Sequence, residues 1–371
     1  MNFSLSEDHE ALRDAARTFV DKEVDLAALL RPGATVEQAG YDNLWSKIAE
    51  LGWPGIVVPE AYGGLGMSYI DLIMIIGEVG RTLTPAPLFG TLAGAWTIER
   101  AGSEDQKAEL LGAVAAGGLK LALAIADTNG RYDQDAGDAV AVATNGGHSI
   151  SGSKSFVVDA AAADRLVVAA SLDGVRKYFI VDRNAPGVTV ELLAWRDITR
   201  QVCTVRFNQA AAELLPAGDA DVWPWVRDRL YLVLAAESAA GTQTVLNDAV
   251  EYAKERIAFG RPIGAFQAIK HQLAEIAGQG ECATAAVQYA AWALSENDPR
   301  APLAAAIAQS YASEAYKAAT YRNIQVFGAI GFTWEMKNHL YFKRARANSE
   351  LLGSPRQQRE ELIQFLEREA A

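Results

Sequence analysis

The 371-residue chain is 50% hydrophobic and carries a net charge of −12 at pH 7. Its length is enough for about two or three packed units. Its acidic balance argues against nucleic-acid binding, which requires a basic surface. Its N-terminus is polar and it has no apolar run of about 18 residues, so the sequence predicts neither a signal peptide nor a membrane span. Two cysteines, Cys203 and Cys282, and four scattered histidines predict a reducing, cytoplasmic setting and no metal site.

Helical patterns dominate the first 118 residues. Apolar spacing predicts four helices there, and Ser103-Glu-Asp-Gln106 has the form of a capping box that opens another. The four predicted helices run from Asp8 to Val24, Tyr41 to Leu51, Asp71 to Arg81 and Thr91 to Ala101. We therefore assign residues 1–118 to an N-terminal helical domain.

Strand patterns replace helices over residues 119–215. Apolar runs flank Asn145-Gly146 and Asp173-Gly174, and these dipeptides predict β-hairpins because they favour two-residue turns. The runs Val188–Leu192 and Val202–Phe207 continue the pattern. We expect a middle β domain here, followed over residues 216–371 by helices whose lengths are typical of an antiparallel bundle.

The segment from Tyr252 to Ala274 is the most informative part of the chain. An apolar stripe at helical spacing predicts a helix that ends at Gly260, as a C-terminal glycine would end it, and a second helix that starts almost at once. A break this tight is expected to hold Arg256, Phe259 and Gln267 in one corner. Spacing alone is equally compatible with a plain helix–helix corner.

Three segments together resemble the acyl-CoA dehydrogenase family. Arg256-x-x-Phe-Gly-x-Pro-Ile, with Gln267, is similar to its flavin-binding signature. Residues 51–66 are similar to its N-terminal hallmark, and Gln325–Thr333 to its Gln-x-x-Gly-Gly-x-Gly segment. The resemblance covers essentially the whole chain and implies an α+β fold with an N-terminal helical domain, a β-barrel-like middle domain and a C-terminal four-helix bundle.

The same resemblance implies FAD-dependent α,β-dehydrogenation of an acyl-CoA thioester. In that family a glutamate removes the α-proton while a hydride leaves for the flavin, and the electrons pass to an electron-transfer flavoprotein. The base has to be desolvated and within hydrogen-bonding reach of the proton. Nothing in the sequence indicates which acyl group is used.

The sequence departs from the family where the base is expected. The family's glutamate precedes Gly-Thr, and the alignment of Gly353-Ser354 on that pair places Leu352 at the base position. A second position used by some members falls near Leu230 or Tyr231, which also lack a carboxylate. The nearest acids, and hence the weaker candidates for a relocated base, are Glu350, Asp228 and Glu237.

Segments that contact a chain's own flavin in this family have also changed. The loop Ala126–Asp133 contains bulky Arg131 and Tyr132 where the family has small residues. The strand Lys154–Val158 lacks the family's tryptophan and hydroxyl. The chain has therefore lost features that the family uses to hold its own cofactor.

The chain retains the residues that match contacts between subunits. In the family they reach the FAD of a neighbouring subunit, and here they are Arg256, Phe259, Gln267, Gln325, Gly328 and Gly331. Ala329 replaces one of the family's glycines. The guanidinium of Arg256 suits a phosphate, and Gly328 permits close approach of the backbone.

This asymmetry predicts the base-lacking subunit of an α2β2 heteromer. The chain resembles the small subunits of pimeloyl-CoA dehydrogenases and the β chains of actinobacterial steroid side-chain enzymes, whose homologous partners carry the base. One alternative is a self-sufficient homotetramer with a relocated base. Others are a flavin monooxygenase or oxidase on the same fold, and a purely structural partner.

Overall fold

Five α-helices form the N-terminal part of the computed structural model, which describes residues 5–132 and 137–370. They are α1 (Glu7–Glu23), α2 (Tyr41–Glu50), α3 (Tyr69–Arg81), α4 (Leu88–Ala101) and α5 (Glu104–Ala115). The four helices predicted from apolar spacing are all present, with ends that differ by a few residues. The capping box is confirmed, because the Ser103 hydroxyl accepts from the Gln106 backbone N–H and the Gln106 side chain accepts from the Ser103 N–H.

Seven strands form a closed sheet in the middle of the chain. They are β1 (Leu121–Ala124), β2 (Val140–Thr144), β3 (Gly147–Val158), β4 (Arg165–Leu172), β5 (Val175–Asp182), β6 (Val188–Leu192) and β7 (Val202–Leu215). The order β4-β2-β3-β7-β5 closes on itself because β4 pairs with both β2 and β5. β1 runs parallel to β4, and β6 pairs with β7. The barrel-like middle domain is therefore confirmed.

Both predicted hairpins are present in this barrel. β2 and β3 pair on either side of Asn145-Gly146, and β4 and β5 pair on either side of Asp173-Gly174. Asp173 and Gly174 have φ values of 52° and 83°. Two successive left-handed residues are what a type I′ hairpin turn requires.

Long helices return after the barrel. They are α6 (Val222–Glu255), α7 (Gln267–Ser295), α8 (Ala301–Phe327), α9 (Asn338–Glu350) and α10 (Pro355–Ala370). α6 packs against α3, α4, α7, α8 and α9, so that every residue from Leu230 to Ala239 is buried. A helix that is buried on all sides is central to its bundle, and α6 connects the N-terminal helices to the C-terminal ones.

The end of α6 differs from the prediction. The helix ends at Glu255, and Gly260 is a turn residue of a short hairpin between β8 (Ile257–Ala258) and β9 (Arg261–Pro262). Phe259 and Gly260 have φ values of 51° and 79°, again the pattern of a type I′ turn. The predicted break between two helices is present, but Gly260 lies in a hairpin turn five residues after the helix ends and not at the helix C-terminus.

The architecture agrees with the α+β fold predicted from the sequence, with helices on both sides of a β-barrel in chain order. The domain boundaries 1–118, 119–215 and 216–371 remain predictions. Among residues 5–132 and 137–370, no helix combines the length and the apolar character needed to cross a membrane.

Candidate active site and cofactor-binding surface

Leu352, the expected base position, lies directly after α9. It is 8% exposed and has a left-handed backbone with φ 64°. Its carbonyl oxygen lies 3.3 Å from the hydroxyl of Tyr231, which donates to it. The position is therefore held in place by a buried hydrogen bond, but the side chain it carries has no group that accepts a proton.

A small apolar cavity surrounds this leucine. Six of its larger lining residues are Phe89, Tyr132, Phe156, Leu230, Leu351 and Leu352. The cavity volume is ≈ 20 Å³, which is about enough for one water molecule. None of its lining residues is a carboxylate, so this space, the Leu352 cavity, offers neither a base nor room for a ring system.

Two aromatic side chains fill the space on the barrel side of the Leu352 cavity. Tyr132 stacks on Trp223 with ring centroids 5.7 Å apart, and burial raises the pKa of its hydroxyl to about 12. Phe156 packs edge-on against Trp195 at 6.1 Å. Asp133, the last residue of the loop Ala126–Asp133, lies outside the residues that the structure describes.

The backbone around Phe156 explains how it reaches the cavity. The register of β3 on β7 shifts between Lys154 and Val157, and Phe156 there has φ 53°. Such a bulge redirects a side chain out of the regular strand alternation. Lys154 itself is buried and bound to Asp127 at 2.6 Å, so the bulge is anchored on one side by an ion pair.

The two tryptophans that support these rings were missed at the level of sequence. Trp195 lies in the irregular segment between β6 and β7 and Trp223 in the first turn of α6, and at neither place does a full period of the pattern mark the residue. The sequence indicated these tryptophans only indirectly, because large side chains at Tyr132 and Phe156 need other large side chains to pack against.

Glu237, one of the candidate bases, is engaged in a buried charge network. Its carboxylate accepts two hydrogen bonds from Arg200 Nη2, at 2.7 and 2.9 Å, and one from Asn348 at 3.1 Å. Arg344 Nη1 lies 3.4 Å away and also binds Asp197 through Nε at 2.6 Å. A carboxylate bound by this many donors is fixed within the fold, and its contacts are structural.

Asp228, the second candidate, is 5% exposed and lies at the start of α6. Its carboxylate accepts from Arg227 Nη2 at 2.9 Å, while burial raises its pKa above the ordinary aspartate value. It lines an outer cleft of ≈ 390 Å³ that also includes Glu361. Tyr231 contacts one residue of each space, since its hydroxyl lies 3.3 Å from the Leu352 carbonyl oxygen and 3.4 Å from Glu361.

Glu350, the third candidate, lies at the end of α9 but points away from the cavity. Its side chain is 43% exposed and forms an ion pair with Arg346 at 3.2 Å, one helical turn earlier. An exposed pair of this kind is an ordinary surface feature. The structure therefore brings none of the three candidate acids into the lining of the Leu352 cavity.

The residues predicted to bind cofactor lie where α6 ends, where α7 begins and where α8 ends. Phe259 is 94% exposed at the tip of the β8–β9 hairpin. Arg256, Gln267 and Gln325 are also exposed. Together with Gly328 and Gly331 they make up a surface that we call the α6–α8 corner, and its polar and aromatic side chains face outward.

Aromatic stacking joins the two halves of this corner. Tyr252 near the end of α6 stacks on Phe327 at the end of α8, with ring centroids 4.1 Å apart. Gly328 follows with φ 71°, and a Cβ on Gly331 would lie 2.8 Å from the Cβ of Phe327. The second glycine is thus required for close packing, whereas the first supplies a left-handed turn.

Two family models match the chain. Residues 6–118 match the model described as acyl-CoA dehydrogenase, N-terminal domain. Residues 229–366 match the model described as acyl-CoA dehydrogenase, C-terminal domain. The β-barrel lies between the two matched ranges.

Known proteins match over nearly the whole chain. The acyl-CoA dehydrogenase IpdE2 of Mycobacterium tuberculosis is 32% identical over 355 residues, 95% of either protein. A chain of the ChsE4–ChsE5 complex of Mycobacterium tuberculosis is 25% identical, covers 99% of both chains and has a TM-score of 0.89. A structure described as the electron transferring flavoprotein of Acidaminococcus fermentans also has a TM-score of 0.89, with 26% identity over 99% of both chains.

Proposed function

Because the chain belongs to the acyl-CoA dehydrogenase family of FAD-dependent oxidoreductases, we propose that it is the base-lacking subunit of an α2β2 acyl-CoA dehydrogenase. A homologous subunit supplies the carboxylate base and binds the acyl-CoA substrate. This chain contributes its α6–α8 corner to the shared FAD. The observation that carries the proposal is the ≈ 20 Å³ apolar cavity at the position where the base is expected.

The residues of this chain fit FAD at one place and not at another. The Leu352 cavity holds about one water molecule and offers no polar side chain apart from Tyr132, which does not suit a three-ring flavin. The α6–α8 corner is open and presents a guanidinium, two amides and an exposed aromatic ring. When bound, FAD accepts the electrons removed from the acyl chain.

Each residue of the corner has a distinct part in this proposal. Arg256 binds a phosphate oxygen of the cofactor, since a guanidinium forms paired hydrogen bonds with phosphate. Gln267 and Gln325 offer amide donors and acceptors, and Phe259 offers a flat apolar face. Gly328 keeps side-chain bulk away from the approaching cofactor, because a Cβ there would point into open space.

The match to a chain of the ChsE4–ChsE5 complex supports a heteromeric arrangement for this chain as well. The match to an electron transferring flavoprotein structure supports electron-transfer flavoprotein as the acceptor of the electrons. The electrons taken from the acyl chain would pass to this acceptor after each turnover.

The test is to purify the chain alone and together with an acyl-CoA dehydrogenase homologue encoded beside its gene. We expect the chain alone to contain little FAD and to oxidise no acyl-CoA, and the complex to do both. In the complex, Arg256→Met is expected to lower FAD content, whereas Arg206→Met, a change of the same kind at an exposed strand position, is not. A chain that oxidises acyl-CoA by itself would contradict the proposal.

A self-sufficient homotetramer is the second candidate, and the raised pKa of Asp228 beside a ≈ 390 Å³ cleft is the observation that favours it. A desolvated carboxyl in a cleft has the properties of a general base. This candidate requires activity from the chain alone that is lost in Asp228→Asn. Activity that persists in the complex with Asp228→Asn supports the heteromer.

A further inference from the structure

A second cleft lies between α1, α3, α6 and α7, away from the Leu352 cavity and the α6–α8 corner. Its volume is ≈ 240 Å³, many times the ~15 Å³ that a cavity needs to hold one water molecule. We call it the α1–α7 cleft. None of the residues already placed at the active site or the cofactor surface lines it.

The floor of this cleft is apolar and made of small residues. α3 contributes Gly77 and Met74, and α6 contributes Ala236, Ala239 and Ala240. A Cβ on Gly77 would lie 3.9 Å from the Cβ of Ala240. The short side chains leave a depression where larger ones would have closed the helix packing.

One wall of the cleft is cationic. Arg13, Arg17 and Arg81 line it together with one carboxylate, that of Glu78. Glu78 is 5% exposed and accepts from both Arg17 Nη2, at 2.9 Å, and Arg81 Nε. Asp21, outside the cleft, binds the other side of Arg81. The lining itself thus carries three guanidiniums and one carboxylate, while Asp14 and Asp21 lie just outside it.

Arg13 is the guanidinium of this wall that Glu78 does not reach. Among the described residues its Nε is shielded from solvent and has no hydrogen-bond partner, and the nearest carboxylate, Asp14, lies 3.7 Å away. A shielded donor without an acceptor costs free energy. An acceptor bound in the cleft would remove that cost.

The opposite wall carries neutral polar groups. α6 provides Gln243, Thr244 and Asn247, and α7 provides Thr284 and Gln288. Gln243 donates to Asn247 at 3.0 Å, so the amides are aligned along the rim of the cleft. Amides and hydroxyls hydrogen-bond to a carboxylate without repelling it.

From the apolar floor, the excess of guanidinium and the volume, we propose that the α1–α7 cleft binds a small amphipathic carboxylate. The carboxylate meets Arg13, and the short apolar chain lies on the alanine and glycine floor. Such a site is separate from the acyl-CoA reaction.

Calorimetric titration of the full-length chain with hexanoate, hexan-1-ol and inorganic phosphate tests the proposal. We expect saturable hexanoate binding, with weaker binding of the other two because each lacks either the charge or the apolar chain. Arg13→Gln removes the cation, and Ala240→Leu fills the floor while keeping every charge. Each is expected to weaken hexanoate binding by about tenfold or more, Arg13→Gln because a charge-assisted interaction is lost and Ala240→Leu because the apolar chain no longer fits.

Arg206→Gln is the matched control, since it removes one exposed arginine far from the cleft. It is expected to leave hexanoate binding unchanged. Absence of saturable binding would overturn the proposal. So would hexanoate affinity that is equal in wild type, Arg13→Gln and Ala240→Leu, or phosphate binding as tight as that of hexanoate.

Discussion

At the scale of single residues, Leu352 leaves the Leu352 cavity without a group that can accept a proton. A left-handed φ of 64° is uncommon for a residue with a branched side chain, and Gly353 beside it also has positive φ. The Tyr231 hydroxyl binds the Leu352 carbonyl at 3.3 Å. The turn after α9 is therefore kept, while the side chain that it presents is apolar.

Replacement of Leu352 by glutamate is expected to add a carboxyl without adding activity. The surrounding side chains are apolar and leave room for about one water molecule, so burial raises the pKa of the new carboxyl. The native state then holds a proton that the unfolded chain releases, and stability falls as the pH rises from the ordinary glutamate pKa through the raised one.

Leu352→Gln, of the same shape but uncharged, is the control for this change. Urea unfolding is expected to show Leu352→Glu less stable than Leu352→Gln by about 1–3 kcal/mol at neutral pH, with the gap closing near pH 4. Gain of acyl-CoA oxidation by the glutamate variant alone would show that the cavity admits substrate.

Asp159 gives the wild-type chain a pH dependence of its own. It is buried, it accepts hydrogen bonds from Tyr41 Oη and Gly90 N at 2.9 Å each, and burial raises its pKa from 3.8 to about 6. Its contribution to stability is present below the unfolded value near 4 and is lost as pH rises through about 6.

The free energy of unfolding is therefore expected to fall between about pH 4 and pH 7, by up to about 3 kcal/mol from this group. Asp159→Asn should flatten that part of the plot of unfolding free energy against pH. The asparagine amide can accept from Gly90 N only through its oxygen, so one of the two hydrogen bonds is lost or changed. An unchanged slope in the asparagine variant would mean that Asp159 titrates normally.

At the scale of elements, the close contact of α3 with α6 sets the packing of the whole helical part. A Cβ on Gly80 would lie 2.5 Å from the Cα of Glu237. The two helices can approach this closely only because Gly80 has no side chain. The same approach places Glu237 within reach of Arg200.

Gly80→Ala is expected to destabilise the fold by about 1–3 kcal/mol, the usual cost of overpacking. Gly77→Ala, three residues earlier on the same helix, is the matched control because its Cβ would contact Ala240 at an ordinary 3.9 Å. It should be neutral, or stabilising by up to about 1 kcal/mol from helix propensity. Thermal unfolding of the pair measures the difference, and equal effects would contradict the close-approach argument.

Hairpin turns were predictable from the sequence where a single dipeptide marks the turn. Asn145-Gly146 and Asp173-Gly174 both lie in hairpin turns, although only the second pair has positive φ at both residues, 52° and 83°. Phe259-Gly260 adopts the same turn, but its position after a helical stripe made a helix C-terminus the more natural interpretation. The β8–β9 hairpin has only two residues in each strand, too few for strand periodicity to appear.

At the scale of the whole molecule, the packing around the Leu352 cavity and Glu237 depends on contacts distant in sequence. The resemblance predicted where the base should be, and the α+β fold that it implied is confirmed. It did not predict the network in which Arg344 binds Asp197 across 147 positions. Nor did it reveal the stacking of Tyr132 on Trp223, since the two residues are 91 positions apart and Tyr132 lies in a loop.

The number of FAD molecules in the purified heteromer tests the central claim most directly. The chain's own cavity is filled and its α6–α8 corner is open, so we expect one FAD for each pair of unlike chains. Absorbance of the released flavin, together with light scattering for the mass of the assembly, measures this ratio. One FAD for every chain, or a flavin-saturated assembly of this chain alone, would contradict the account.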